Sequence, residues 1–517
     1  MESNAPMESN ERSMQYIVGF YVLIVISAIL RFRDLTFQSM WGDELSRAAS
    51  AFEATWEGAM SLAGLSKNGG FFRWEVYWIG RLFGTNELAF RAFSASCGVI
   101  LVALVCEIGR SLHSEFAGLV SAALLAVSKS AIKYSQEFAP YSSGNLFVWL
   151  VFALIILRKN RTFWIDMVIA GLANYVIWLH THSAAVIFLG TNVLLLQAIL
   201  YKGFDKKSGD ESVGFQIESV TSEARLWFVI NTAFIFRIPG LRTISDDDGH
   251  SGWIPDYSIS SSIQKPINWY FGNIGDLNSL LVPIILASPI LVFVSVRLKN
   301  SDWRMQPEWF LWLSGPVFII LLIAYSQISR PALHERYIQF SLPAFCLIFG
   351  ITVSRVFEMA SRSADKPRVV ADSAWASILL CTLLVFQGLQ GLHESEYYTE
   401  VRKSDFRGMS QYLDGEDFDE DTFIISQPNA GKWNTYLSMM GSEERVDYGK
   451  WETEMPNKGY ELINETQPET VVYVIGHVVS RFEDSNFINF LEGGFELIDY
   501  QEFYQGKVWV YQRGGNV

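Results

Sequence analysis

The sequence predicts a mainly α fold: a polytopic helical bundle of about eleven membrane-spanning helices over residues 1–391, then a soluble α/β domain over 392–517. Three observations predict it. Apolar runs of spanning or near-spanning length recur almost to residue 391. Only 18% of the 517 residues are charged, against a 50% hydrophobic share, whereas an ordinary soluble domain is about a quarter charged. The net charge of −14 belongs wholly to the tail, where the residues from Gly391 onward include 24 acids and 10 bases.

The apolar runs are read as 14–31, 89–109, 115–132, 141–157, 163–179, 183–201, 225–240, 278–297, 308–326, 338–354 and 372–391. The first is followed by no small-residue cleavage site and ends on Arg31, Phe32 and Arg33, so it reads as an uncleaved helix rather than a signal peptide. The 17 Trp and 37 Phe suit interfacial aromatic belts. Cys97, Cys106, Cys346 and Cys381 lie in apolar runs without paired spacing, and read as small core residues.

Orientation follows from the short loops. "LRKNRT", "YKGFDKKSGD", "VRLKNSDWR" and "RSADKPR" concentrate Lys and Arg, and with eleven spans all four fall on the side of the N-terminus. That side is the cytoplasm. The other side receives segment 32–88, "KYSQEFAPY", "HTH", the loop 241–277, "SRPALHERY" and the whole tail. The expectation is a multi-pass plasma-membrane protein with an extracytoplasmic C-terminal domain.

In the tail, "DTFIIS", "VVYVIG", "FELIDYQEFY" and "KVWVYQR" read as strands rich in β-branched and aromatic residues. "SDFRGMSQYL" and "KWNTYLSMM" read as helices. The tail is long enough to bury a core of its own. It has no Gly-rich phosphate loop, zinc spacing or nucleophile elbow. Its acidity argues against nucleic acid as a partner and against a tail pressed onto anionic lipid.

The chemically unusual residues share the outer side. Asp43 and Glu44 lie in "QSMWGDELSR", and Glu137 lies in "KYSQEFAPYS". His180 and His182 end the fifth run, "DDDGH" spans Asp246 to His250, and Arg336 and Tyr337 open the tenth run. Singly, each has an ordinary reading: a solvated acid, an interfacial histidine, a snorkelling cation. Together they suit glycosyl transfer from a lipid-linked donor. A carboxylate takes the proton of an acceptor hydroxyl as that oxygen attacks the anomeric carbon. Arginine, always charged and able to grip in bidentate fashion, holds the departing lipid phosphate.

The ordered motifs "WGDE", "RLFGTNELAFR", "IKYSQEFAPY", "HTHS", "ERYIQFSLP" and "RKSDFRGMSQYLDGEDFDEDTFII" span nearly the whole chain. In that order they resemble the GT-C superfamily of multi-spanning glycosyltransferases. The nearest branch is the family-39-like one, which holds protein O-mannosyltransferases and the lipid A aminoarabinose transferase. The resemblance implies a GT-C-like catalytic domain, inverting transfer from a polyprenyl-phosphate-linked sugar, and a protein, glycan or lipid acceptor. It implies Asp43 as base, Glu44 as a neighbour orienting the acceptor or a cation, and Glu137 as the second-loop acid. Arg336, with Tyr337 beside it, would bind the donor phosphate. Trp41, Tyr134, Tyr141, His180 and His182 would line the donor or acceptor cavity. It leaves the metal requirement open: a divalent cation (Mg or Mn), if used, would take Asp43, Glu44 and Glu137.

Two departures bear on the sugar and the acceptor. Asn68, Gly69 and Gly70 stand where the family often has a double proline, and "FAP" follows "SQE" where it has an arginine. Arg73 or Lys133 would supply the missing cation. Two other classes compete: a transporter or lipid flippase of the same helix count, and a non-catalytic membrane scaffold. A transporter should carry its ionisable residues at mid-span, whereas here they cluster in outer loops.

Overall fold

The computed structural model describes residues 12–52, 72–157, 163–179, 224–225, 227–232, 254–271, 311–329, 331–362, 379, 382–383, 385–416, 418, 422–427, 431–441, 457–476 and 485–514. Helix α1 (Met14–Phe32) starts at Ser13, whose hydroxyl accepts from the Tyr16 N–H at 3.1 Å. The short α2 (Gly42–Ala48) follows. After the amphipathic α3 (Phe72–Phe83), Gly84 turns the chain at φ +92°, and Asn86 caps the long α4 (Glu87–Leu112). Next come α5 (Glu115–Val127), α6 (Lys129–Ser135), α7 (Pro140–Leu157), α8 (Phe163–Leu179) and α9 (Ile259–Phe271). A π-helical turn, Leu313–Val317, leads into α10 (Phe318–Ile328). A further helical stretch begins with α11 (Glu335–Ile338) and continues as α12 (Leu342–Arg362), and residues 385–394 are again helical.

Among the described residues, Met14–Phe32, Glu87–Leu112 and Glu335–Glu358 are long and apolar enough to cross a membrane. A fourth span results if the bent pair α5–α6 is counted as one, and shorter apolar helices cover Pro140–Ile155, Trp164–Ile177 and Ser314–Ile328. The expected runs 183–201 and 278–297 lie outside the described residues, and 225–240 and 372–391 lie partly outside.

The run expected as one span over 115–132 is broken. α5 ends at Val127, and the chain bends by 63° into α6. Ser128 makes the break with extended backbone (ψ 119°), and its hydroxyl donates to the Tyr270 carbonyl at 2.7 Å. A break leaves carbonyls at the end of α5 without helical partners. Buried Arg31 supplies donors, from Nη1 to Ala126 O at 2.9 Å and from Nη2 to Leu125 O at 3.1 Å. The bend carries Lys129, Lys133 and Tyr134 out of the apolar layer and onto a cavity wall.

Small residues let the helices close up. A Cβ added at Gly118 on α5 would collide with the Cys106 carbonyl of α4, and one at Gly350 on α12 would collide with Ser121 of α5. This is how helices gain contact in a layer where burial alone offers little. The helical core runs through Val105, Leu125, Trp149, Cys346 and Leu347.

The tail opens with α13 (Phe406–Gly415) and β1 (Thr422–Gln427), then α14 (Gly431–Met440), α15 (Asn457–Thr466) and β2 (Thr470–Gly476). It closes with α16 (Ser485–Gly494) and the hairpin β3 (Phe495–Phe503) and β4 (Gly506–Arg513). The sheet order is β1-β2-β4-β3, with β1 parallel to β2 and the other pairs antiparallel. All four strands stand where the β-branched runs predict them.

Alternation along β2 divides its side chains between two cores. Val471, Tyr473 and Ile475 pack with Phe487, Leu491 and Trp509 inside the tail. Val472 and Val474 join Phe406, Met409 and Tyr436 in a cluster with Met40, Leu45, Phe72, Phe90 and Phe138 from earlier in the chain. One face of the tail is therefore completed by α2, α3 and the residues packed beside them. Polar contacts pin the same seam: the Met40 N–H donates to Tyr436 Oη at 2.6 Å, and Arg407 Nη2 donates to the Thr36 carbonyl at 2.8 Å.

Candidate active site

α2 carries Asp43 and Glu44 into unlike surroundings, because successive residues on a helix point about 100° apart. Glu44 is fully buried. Its Oε1 accepts from Arg91 Nε at 3.0 Å and from the Phe138 N–H at 2.8 Å. Its Oε2 accepts from Arg91 Nη2 at 2.9 Å, Lys403 Nζ at 2.8 Å and the Trp41 N–H at 3.3 Å. Burial alone would raise its pKa, but the charges and hydrogen bonds of Arg91 and Lys403 outweigh that and hold the carboxyl well below the usual carboxylate range. Arg91 spends its remaining donors on the carbonyls of Leu35, Gln38 and Ser39. Glu44 thus ties the loop before α2 to α4, to the Phe138 segment and to the tail. Both its oxygens are occupied, so the expectation that it orients an acceptor or a cation gives way to a positioning role.

Asp43 is 44% exposed. Its Oδ2 lies 3.4 Å from Arg336 Nη1 and 3.8 Å from Arg47 Nη2. Arg336 lies over the rings of Trp41, at 5.4 Å, and Tyr141, at 5.9 Å. His334 fixes the start of α11 by accepting the Arg336 N–H on Nδ1 at 3.2 Å. Next to Arg336, the Glu335 carboxylate is anchored on α6, by Ser130 Oγ at 2.8 Å and Lys133 Nζ at 2.7 Å. The break at Ser128 thus sets the position of α11 as well as that of α6.

These groups surround a cavity of about 440 Å³. Arg91, Lys129, Lys133, Arg336, Arg402 and Lys403 line it, against the carboxylates of Asp34, Glu137 and Glu335. Such an excess of cations suits an anionic ligand. Trp41, Tyr134, Trp269 and Tyr397 add aromatic walls. Burial, with the Glu137 charge behind it, pushes the Tyr397 hydroxyl well above its ordinary pKa, so it stays a neutral donor. Glu137 is nearly buried, and its Oε1 lies 3.6 Å from Lys403 Nζ.

The expected residues divide as follows. Trp41, Lys133, Tyr134, Glu137 and Arg336 line the cavity. Asp43 and Tyr141 reach it through Arg336. Tyr337 packs on the His334 ring at 5.9 Å, and Arg73 sits half-buried on α3; neither lines the cavity. His180, His182 and Asp246 to His250 lie outside the described residues. The conditional reading of Asp43, Glu44 and Glu137 as ligands of one divalent cation does not fit the donor set: Glu44 has both oxygens engaged, and the Lys403 ammonium reaches both Glu44 and Glu137. Among the described residues, no three His, Cys, Asp or Glu group closely enough to hold a metal.

Sequence reasoning missed Arg91, Lys129, Glu335, Tyr397 and Lys403. Lys129 had a usable signal: a lysine inside an apparent span marks a functional position or a break. Lys403 had none, since its partner Glu44 is 359 residues away.

No protein-family model matches the sequence, and no curated protein does. Solved structures do. ArnT from Cupriavidus metallidurans in the apo state is similar at TM-score 0.58 and 11% identity, over 96% of this chain and 98% of that one. ArnT bound to undecaprenyl phosphate is similar at TM-score 0.55 and 12% identity, with the same coverage. The oligosaccharyltransferase AglB from Archaeoglobus fulgidus, in complex with an inhibitory peptide and a dolichol-phosphate, is similar at TM-score 0.55 and 10% identity, over 90% of this chain and 70% of that one. ArnT and AglB are members of the GT-C superfamily, and the chain shares their fold.

Proposed function

We propose that this chain is an inverting glycosyltransferase. It moves a sugar from a polyprenyl-phosphate donor to a hydroxyl of a protein, glycan or lipid on the extracytoplasmic side of the plasma membrane. The observation that carries the reading is the pairing of Asp43 with Arg336 beside a cation-rich cavity. The shared fold supports it, since two of the similar structures hold undecaprenyl phosphate or dolichol-phosphate.

Arg336 grips the donor phosphate, and Trp41 and Tyr141 keep its guanidinium flat and aimed. Asp43 accepts the proton of the acceptor hydroxyl as the new bond forms between that oxygen and the anomeric carbon. On the opposite face of the sugar, the bond from the anomeric carbon to the phosphate oxygen breaks. The bonding electrons leave with polyprenyl phosphate. Attack opposite the leaving group inverts the anomeric centre. Glu137 and Lys403 bound the cavity, and Glu44 with Arg91 holds the base helix in place.

Arg336→Ala weakens donor use by about a hundredfold, the worth of a charge-assisted hydrogen bond in a partly buried site. Arg336→Lys recovers only part, because a point charge lacks the fork. Steady-state kinetics with a synthetic polyprenyl-phosphate sugar read both. Parental kinetics in Arg336→Lys would remove the bidentate role.

A further inference from the structure

Six cationic side chains line the cavity, and five are already paired. Arg91 is held by Glu44, Lys133 by Glu335, Arg336 by Asp43, Arg402 by Glu400, and Lys403 by Glu44 and Glu137. Lys129 is different. It is half-buried, it lines the same cavity, and among the described residues it makes no hydrogen bond and no ion pair. The nearest opposite charge acting on it is Glu335, which Lys133 already engages and which does not offset the burial, so the ammonium is held at a cost. A ligand bearing negative charge offsets that cost.

Its place in the fold is built. Lys129 is the first residue of α6, and Ser128 and Arg31 hold the break that turns this helix out of the apolar layer. One turn further, Lys133 shares its face and is neutralised by Glu335. Lys133 was the expected phosphate ligand, but its charge is spent within the protein. Lys129 keeps its own.

We propose that Lys129 is a second ligand of the donor's phosphate, acting together with Arg336. This rests on the polyprenyl-phosphate reading above. Two cations on one cavity, from α6 and α11, would also fix the orientation of the phosphate, which one cation alone does not.

The test measures binding rather than turnover. Purified protein in nanodiscs is titrated with three probes: a short-chain polyprenyl phosphate, the matching polyprenyl alcohol, and inorganic phosphate. Parent, Lys129→Met and Lys133→Met are compared, each checked for a single cooperative unfolding transition above the assay temperature. The expected result is that Lys129→Met weakens polyprenyl phosphate binding by about ten- to a hundredfold and leaves the alcohol unchanged. Lys133→Met loses less, since Glu335 already occupies that charge. Equal binding of polyprenyl phosphate by parent and Lys129→Met overturns the proposal and leaves the donor reading standing. Failure of the parent to prefer the phosphate over the alcohol overturns the donor reading, and the proposal with it. Inorganic phosphate binding that depends on Lys129 as strongly, with no gain from the lipid chain, assigns the site to free phosphate and overturns the donor role. A Lys129→Met variant that misfolds is replaced by Lys129→Gln, read in the same way.

Discussion

Asp43→Asn lowers turnover by roughly two to four orders of magnitude, the usual worth of a general base. Asparagine keeps the shape and one acceptor oxygen but cannot take a proton. Donor affinity does not fall with it. In the resting protein Arg336 is paired with Asp43, so the substitution frees the guanidinium for the donor phosphate. Affinity therefore holds or rises while the chemical step collapses, the pattern of an interaction made mainly in the transition state. Release of polyprenyl phosphate from a synthetic donor gives the rate, and equilibrium binding gives the affinity. Near-parental turnover would pass the role to Glu137, the next carboxylate on the cavity wall.

Glu44→Gln acts on stability. The substitution leaves Arg91 buried without its counter-charge, and removing one partner of a buried pair costs about 3–5 kcal/mol. The unfolding midpoint in nanodiscs drops by about 5 °C for a chain of this size. Glu44→Leu combined with Arg91→Met does not restore the loss, because it also strips partners from Lys403, from the Phe138 and Trp41 N–H groups and from the carbonyls of Leu35, Gln38 and Ser39. The pH dependence has a definite sign. The Glu44 carboxyl is held below its ordinary value, so its contribution is complete above the unfolded-state pKa of about 4.3 and is lost as pH falls toward the depressed native value. Parental thermal stability in Glu44→Gln would show that the clamp holds nothing.

Much of the fold was legible because membrane helices and half-buried strands carry strong periodic signals. α1 and α4 fall within two or three residues of the apolar runs, and the tail strands stand where β-branched residues cluster. The break at Ser128 was not legible. A serine is tolerated within a helix, and what makes the break hold is Arg31, which reaches carbonyls nearly a hundred positions away. The site was half legible. The "WGDE" pair could be found in the sequence, but the division of labour within it could not. Asp43 faces Arg336 and Glu44 faces Arg91 only because α4 and α11 flank the short helix in space. The tail's share in the site was invisible for a similar reason: Lys403 and its partner Glu44 are 359 residues apart in the chain.

The central claim is cleavage between the anomeric carbon and the donor phosphate oxygen, and one measurement tests it directly. Purified protein in nanodiscs is given polyprenyl-phosphate hexoses and pentoses in water enriched in oxygen-18, with water standing in for the acceptor hydroxyl. The account predicts slow, Asp43-dependent hydrolysis of at least one donor, with the label in the sugar, an inverted anomeric centre and unlabelled polyprenyl phosphate. Label in the phosphate, a retained anomeric centre, or donors that cross the bilayer without being cleaved would contradict it.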